Sequence, residues 1–283
     1  MAIAYGLLEP IELTLPHLPR ALEGLRIAHI SDLHVRRDGP WYSRLETQLT
    51  SQRFDLIVLT GDYIDRTNGE QEIHAHSVLL RLTQRLRPRL GTFGVFGNHD
   101  TALLRDQCHD VPIHWLNNEN HHVSGRPLEV LGVETLRYDL PDSVALVLNR
   151  TPPPAPREKE DDDEANSALA PDERPLRVML AHEPGVLPTA ADLGVDLLLC
   201  GHTHGGQCRL PTGHPVINAC DLPLSLTSGV LRCRDTLAGV SRGIGWTGWV
   251  PRLFCRPHVP VYTLRRGSLP GVHSEHIKNL HPW

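Results

Sequence analysis

The sequence predicts an α/β protein that contains two β-sheets. In the first half of the chain, short apolar segments alternate with segments in which Leu and Val recur at helical spacing, which is typical of alternating strands and helices. In the second half, several short apolar segments follow one another without a helical segment between them, which indicates a second sheet. Hydrophobic residues make up 40% and charged residues 22% of the 283 residues, so the composition is that of a globular chain.

Each predicted strand is a short apolar segment bounded by turn residues, as expected of a buried strand. The strands that lead into polar clusters are predicted at 25–30, 55–60, 91–96, 177–180 and 196–200. Two helices, at 41–53 and 73–86, are predicted between the first three of these strands. Further strands are predicted at 128–133, 144–148, 237–240 and 260–264.

One domain is predicted over residues 1–265, followed by a weakly patterned tail over 266–283. Residues 151–175 begin with TPPPAP, continue with an acidic run and have no apolar period, so we interpret them as a disordered surface loop. Residues 157–174 account for the whole net charge of -5, which leaves 25 basic and 25 acidic residues elsewhere. Without a basic excess, a dedicated nucleic-acid-binding protein is not expected.

The cysteines and the N-terminus favour a cytoplasmic location. Six cysteines occur without a C-x-x-C pair, which favours reduced thiols over a disulfide scaffold. The first ten residues contain no Lys or Arg, and their apolar run stops at Glu9, so they resemble neither a signal peptide nor a membrane span.

A polar cluster follows each of the five strands named first. Ligands collect beyond the carboxyl ends of strands in open α/β sheets. Carboxylate, imidazole and amide groups suit divalent ions such as Mn²⁺, Fe²⁺, Co²⁺ or Zn²⁺. Residues at i and i+2 of an extended backbone point to one face, which brings together each of the pairs Asp32/His34 and His202/His204. The candidate metal ligands are Asp32, His34, Asp62, Asn98, His182, His202 and His204.

Seven ligands exceed the needs of one ion, since a structural zinc takes four. They divide well over two ions if one carboxylate bridges, and two ions a few ångströms apart form a clamp for phosphoryl transfer. The residues alone therefore favour a two-metal hydrolase, with a phosphoryl substrate or, less favoured, an amide or lactone.

The chain resembles the calcineurin-like metallophosphoesterase superfamily in the order of five motifs. These are D-x-H, G-D-x-x-D, G-N-H-D, a single His after a strand, and G-H-x-H. Residues 241–245 (SRGIG) resemble its bacterial branch of small single-domain phosphodiesterases, which includes enzymes that cleave UDP-diacylglucosamine. The resemblance implies a four-layer αββα sandwich of two mixed β-sheets flanked by helices. It also implies a metal-dependent phosphoesterase that cleaves a phosphodiester or phosphoanhydride by attack of a metal-bound hydroxide.

The resemblance also implies roles for individual residues. The metal ligands would be Asp32, His34 and His204 for the first ion, Asn98, His182 and His202 for the second, and Asp62 for both. The ions would be Mn²⁺, Fe²⁺ or Zn²⁺. His99 would face the substrate phosphate and protonate the leaving oxygen, and Asp100 would orient the His99 ring. Asn98 and Arg242 would also contact the substrate, and Asp65 would support the site without binding metal.

Two questions stay open at this point. The apolar segment 244–254 either forms an exposed lip suited to a lipid-linked substrate and to peripheral membrane contact, or packs against the core; we favour the core. The fold could also serve as a non-catalytic binding scaffold. Because His99 and every ligand are present, we favour an enzyme that acts on a phosphorylated small molecule or a lipid-linked substrate.

Overall fold

The computed structural model describes residues 6–134, 174–217, 220, 222–248, 251–269 and 278–281. Two mixed β-sheets form its centre. The first sheet contains, in spatial order, β1 (Leu8–Leu15), β12 (Val259–Arg266), β2 (Arg26–Ile30), β3 (Leu56–Thr60), β4 (Thr92–Val95) and β5 (His114–Trp115). Strands β2 to β5 run parallel, and β12 runs antiparallel to β2.

The second sheet has seven strands. In spatial order they are β13 (Lys278–His281), β10 (Gly229–Cys233), β11 (Thr236–Val240), β9 (Leu197–Cys200), β8 (Leu176–Ala181), β7 (Leu128–Val133) and β6 (Glu119–His122). Strands β7, β8, β9 and β11 are parallel, so their carboxyl ends lie at one edge of the sheet.

Helices cover the outer faces of both sheets. They are α1 (Pro40–Thr50), α2 (Glu70–Arg85), α3 (Ala102–Gln107) and α4 (Leu187–Asp192). The start of α2 lies three residues before the predicted one, because its first turn is acidic rather than apolar. Glu70 and Glu72 occupy that turn and Arg85 the last, as the helix dipole favours. The Asn68 side chain accepts a hydrogen bond from the backbone N–H of Gln71.

Side-chain alternation along the strands creates the layers. In β3, Ile57 and Leu59 pack in the cluster with α1 and α2, whereas Leu56 and Val58 pack in the cluster between the sheets. A further cluster joins the outer face of the second sheet to α4 through Leu187. The described residues thus form an arrangement of helices, sheet, sheet and helix, and the predicted α/β fold with two mixed sheets is confirmed.

The strands that lead into polar clusters are confirmed to within one residue at each end; β8 extends one residue beyond 177–180 at both ends. The sequence analysis missed β1, which pairs in parallel with β12 about 250 residues away. The predicted tail is not wholly unpaired, since β13 adds to the edge of the second sheet against β10. The predicted strand at 144–148 lies outside the described residues, as does the acidic loop apart from Arg174 and Pro175. A single domain over 1–265 stays a prediction.

All six cysteines are free thiols. Within the described ranges, no helix has both the length and the apolar character needed to cross a bilayer.

Candidate metal centre

The loops after four parallel strands bring six of the seven predicted ligands together at the carboxyl edges of the two sheets. Asp32 follows β2, Asp62 follows β3, His182 follows β8 and His202 follows β9. The backbone at Asp32, Asp62 and His202 lies in the left-handed region, with φ of 50°, 56° and 70°. Such strained conformations cost free energy and cluster at functional sites, where the surrounding structure enforces them.

This backbone corrects one expectation. The pairs at i and i+2 were predicted to converge through an extended backbone, but His34 and His204 also have positive φ. Asp32 and His34 share one group of ligand atoms, whereas His202 and His204 contribute to two different groups.

Three groups of potential ligand atoms form among the described residues, each with all atoms within 4.8 Å of one another; one joins His34 to Asp65 and His99, and the other two carry the predicted ligands. Of these two, the first combines Asp32, His34, Asp62 and His204, and the second combines Asp62, His182 and His202. Asp62 belongs to both, with Oδ2 lying 3.5 Å from His34 Nε2 and 3.2 Å from His182 Nε2. Asn98 precedes His99 in the loop after β4, and its side chain is exposed.

The orientation of the imidazoles fits metal binding. His34 Nδ1 donates a hydrogen bond to the Ile64 carbonyl at 3.0 Å, and His182 Nδ1 donates to the Thr60 carbonyl at 2.7 Å. These bonds place the proton on Nδ1 and turn the Nε2 lone pair towards the centre, as in metal-ligating histidines. The His34 and His204 Nε2 atoms lie only 3.0 Å apart, a separation that a shared ion accommodates.

The charges of the buried groups also fit a bound cation. Burial, with the nearby Asp62 carboxylate, raises the pKa of Asp32 to about 6. Burial disfavours the charged form of His182, but the neighbouring Asp62 carboxylate outweighs this and raises the pKa of His182 to about 10. His182 in turn holds the pKa of Asp62 below its ordinary value. Burial lowers the pKa of His34 to about 4. Two buried carboxylates at one point need compensating positive charge, which divalent ions provide.

A chain of buried hydroxyls supports Asp32 from behind. The Ser31 hydroxyl donates to Asp32 Oδ2 at 2.6 Å, and the Thr60 hydroxyl donates to Ser31 at 2.8 Å. His29 Nε2 lies 2.8 Å from the Thr60 hydroxyl. His29 belongs to none of the motifs named in the sequence analysis. Its position on β2, two residues before Ser31, places it on the same strand face as that hydroxyl.

The His99 ring is oriented differently from the prediction. The backbone N–H of His99 donates to Asp62 Oδ1 at 2.9 Å, and ring Nδ1 donates to the Asp65 carbonyl at 2.8 Å. Asp100 instead accepts hydrogen bonds from the backbone N–H groups of Asp62, Tyr63 and Gly97, at 2.7–2.8 Å. The prediction that Asp100 orients His99 is therefore wrong, because both carboxylate oxygens already serve the two loops that carry the site.

Comparison with known proteins decides the family. The family model described as calcineurin-like phosphoesterase matches residues 25–206, which include every candidate ligand. The chain belongs to the calcineurin-like phosphoesterase family. Accordingly, it is a metal-dependent phosphoric ester hydrolase, and the alternative of an amide or lactone hydrolase is not retained.

Three bacterial relatives align over most of their length. The uncharacterized metallophosphoesterase YkoQ of Bacillus subtilis is 26% identical, over 86% of this chain and 85% of its own. The phosphodiesterase YaeI of Escherichia coli is 28% identical, over 84% and 82%. The UDP-2,3-diacylglucosamine pyrophosphatase LpxG of Chlamydia trachomatis is 26% identical, over 83% and 82%.

In this metallophosphoesterase, two arginines, Arg242 and Arg252, lie near the centre in different settings. The Arg242 guanidinium pairs with Glu9 of β1 at 2.8 Å, and its contact with the substrate stays a prediction. Arg252 lies at the metal centre, with Nη2 3.2 Å from His204 Nδ1 and Nη1 3.2 Å from the His204 carbonyl. Sequence reasoning missed Arg252, since it sits in an apolar segment without a recognisable motif.

An exposed apolar rim borders the centre, and it corrects the expectation that 244–254 packs against the core. Ile244 is buried, but Trp246 is 43%, Leu253 54% and Phe254 59% exposed. A bridge between Cys208 and Leu253 brings the loop after the G-H-x-H motif beside this segment. That loop adds further exposed side chains. The apolar rim comprises Leu210, Val216, Ile217, Trp246, Leu253 and Phe254.

Proposed function

We propose that this metallophosphoesterase is a dinuclear enzyme that hydrolyses a phosphodiester or phosphoanhydride in a lipid- or nucleotide-linked substrate. The sharing of Asp62 between two groups of ligand atoms carries the proposal. A carboxylate placed between two sets of imidazoles is the arrangement that holds two ions close together.

The residues divide between the ions as follows. The ligands are Asp32, His34 and His204 for the first ion, His182, His202 and Asn98 for the second, and Asp62 for both. The mixed nitrogen and oxygen donors suit Mn²⁺, Fe²⁺ or Zn²⁺. When bound, the two ions supply Lewis-acid polarisation of the phosphate and lower the pKa of the attacking water.

The chain itself supplies positioning and proton transfer. The Asp65 carbonyl holds the proton of His99 on Nδ1 and fixes the plane of the ring. When the ring takes up a second proton on Nε2, that proton faces the leaving oxygen of the ester and can be donated to it. Arg252 braces the loop that carries His204 through its contacts with the His204 carbonyl and ring.

The surroundings of the centre support a lipid-linked substrate. The apolar rim presents six large exposed side chains next to the loop that carries His202 and His204. Exposed apolar surface beside a catalytic centre is suited to acyl chains or a membrane surface. LpxG, by its name a pyrophosphatase of a diacylated nucleotide sugar, is similar over most of the chain. We propose that the enzyme is cytoplasmic and contacts a membrane peripherally.

The test uses chelator-stripped protein reconstituted with Mn²⁺. We expect metal-dependent cleavage of a bis-aryl phosphodiester, with less activity on an aryl phosphomonoester. Asp62→Asn should abolish this activity and lower the number of bound ions, whereas Asp235→Asn, at a carboxylate 83% exposed in a turn, should change neither. Binding of a single ion, or full activity in Asp62→Asn, would overturn the dinuclear assignment.

A further inference from the structure

The turn at residues 241–245 packs against the candidate ligand Asp32. The backbone N–H of Gly245 donates to the Asp32 carbonyl at 2.6 Å. Gly243 has a φ of 69°, and a Cβ at this position would lie only 2.5 Å from Asp32 Cβ. Because only a glycine leaves room for this approach, the turn lies directly against the Asp32 side chain, and its position limits where that carboxylate can lie.

His258, directly before β12, holds the same turn through two hydrogen bonds. Its backbone N–H donates to the Gly243 carbonyl at 3.2 Å, and its ring Nε2 accepts from the backbone N–H of Arg242 at 2.9 Å. Burial lowers the pKa of His258 to about 4, so the ring is neutral at neutral pH and Nε2 can accept. The backbone and the side chain of one residue thus fix two consecutive residues of the turn.

Glu9 of β1 orients the His258 ring. Because Nε2 accepts a hydrogen bond, the ring proton sits on Nδ1, which donates to Glu9 Oε2 at 2.9 Å. The same carboxylate oxygen accepts from Arg242 Nη2 at 2.8 Å. One carboxylate from the first strand therefore joins the Arg242 side chain to the ring that holds the Arg242 backbone.

The network of Glu9, His258 and Arg242 is largely buried. His258 is 2% exposed, and the Arg242 side chain is 13% exposed. A buried polar group costs free energy unless it is hydrogen-bonded, and both ring nitrogens of His258 have a partner. Such a satisfied network fixes one arrangement of its members. His258 belongs to none of the three groups of potential ligand atoms among the described residues, so its effect on the centre passes through the turn.

We propose that His258 and Glu9 are positioning residues that hold the turn at 241–245 against Asp32 and thereby set the affinity for the first ion. This inference rests on the proposed function, in which Asp32 binds that ion. Replacing a residue that orients a metal ligand typically lowers metal affinity by about 10–100-fold. His258 and Glu9 act one contact further from the ion, so we expect a loss of ~10-fold, at the lower end of this range.

The test titrates the chelator-stripped protein with Mn²⁺ and quantifies free Mn²⁺ by electron paramagnetic resonance. His258→Leu removes both ring hydrogen bonds, so the affinity for one of the two ions should fall by ~10-fold. His258→Gln should restore most of this affinity, because its amide can accept from the Arg242 N–H and donate to Glu9. Since Leu and Gln both fill the space of the ring, this rescue assigns the effect to the hydrogen bonds rather than to packing.

Glu9→Ala is the second variant and should weaken binding of the same ion, whereas Glu9→Gln keeps an acceptor oxygen and should restore it. Because the Glu9 side chain is 34% exposed, this pair tests the positioning role even if His258→Leu does not fold. Glu12→Ala is the matched control, since Glu12 lies on the same strand and pairs with Arg265 at the surface, at 3.1 Å. It should leave both Mn²⁺ affinities unchanged.

Mn²⁺ affinities in His258→Leu and Glu9→Ala that equal those of the natural chain would overturn the inference, because a residue that only stabilises the fold leaves metal binding by the folded protein unchanged. Loss of affinity that the Gln variants do not restore would overturn it as well. Failure of the proposed function is seen separately, as absence of phosphodiester hydrolysis by the natural chain.

Discussion

Removing the Asp100 carboxylate should destabilise the fold, because this side chain ties together two loops of the metal centre. It accepts three buried backbone N–H groups, from Gly97 at 2.7 Å, Asp62 at 2.8 Å and Tyr63 at 2.7 Å. Leaving a buried donor unsatisfied costs about 1–3 kcal/mol, so Asp100→Ala should lose about 3–9 kcal/mol. That is a large part of the typical stability of a domain. Asp100→Asn keeps one acceptor oxygen and should lose less.

The assay is urea unfolding of the chelator-treated protein, followed by fluorescence. Burial raises the pKa of Asp100 to about 7, so a pH of about 8.5 keeps the carboxylate ionised. Asp106→Ala, at an exposed carboxylate on α3, is the control and should change stability by under ~0.5 kcal/mol. If Asp100→Ala unfolds within ~1 kcal/mol of the natural chain while turnover falls, the bracing role is refuted and orientation of His99 is restored.

Three further outcomes are expected. In Gly201→Ala, the added Cβ overlaps Asp32 Oδ2, so the affinity for Mn²⁺ should fall and the free energy of unfolding should drop by ~1–3 kcal/mol. The control is Gly185→Ala, whose Cβ meets no atom within 4 Å, and it should change neither quantity. Equal Mn²⁺ affinities in the two variants would contradict the expected overlap. Burial lowers the pKa of His29 to about 3, below its unfolded value near 6.5, so stability is present above pH ~6.5 and is lost as pH falls. Between pH ~8 and ~5, the free energy of unfolding in urea should fall by ~2 kcal/mol more in the metal-free natural chain than in His29→Gln. Parallel pH profiles of the two proteins would disprove this role of His29. His99→Ala should bind Mn²⁺ with unchanged stoichiometry while kcat falls by ~100-fold or more; lost metal would rule out the proposed role.

Local sequence patterns predicted the strands of the fold well where burial is nearly continuous. Strand β7 has the predicted bounds, because all six of its residues are buried and a turn comes directly before the segment. Strand β1 went unnoticed for the opposite reason. Its pattern is half exposed, and its partner β12 lies at the far end of the chain, so only long-range pairing makes it a strand. The short edge strand β13 likewise exists only through its pairing with β10.

The candidate ligands could be named from the sequence because each follows a strand and carries a donor suited to divalent ions. Their order along the chain also indicated the family that the comparison shows. Neither the partner of Asp100 nor that of Arg242 could be named in this way. The Arg242 partner, Glu9, lies 233 residues away, and a guanidinium in a glycine-rich turn looks the same whether it faces a substrate or a carboxylate.

By itself, the sequence determined the fold class, the donor types and the family, because hydrophobic periodicity and motif order are local properties written in consecutive residues. Only the tertiary structure decided how the donors divide. His202 and His204 contribute to different groups although one residue separates them, and Asp62 belongs to both groups, because loops from the two sheets meet there. The hydrogen bond from Arg36 to the Gly248 carbonyl is likewise a product of packing, since the two residues lie 212 positions apart in the chain.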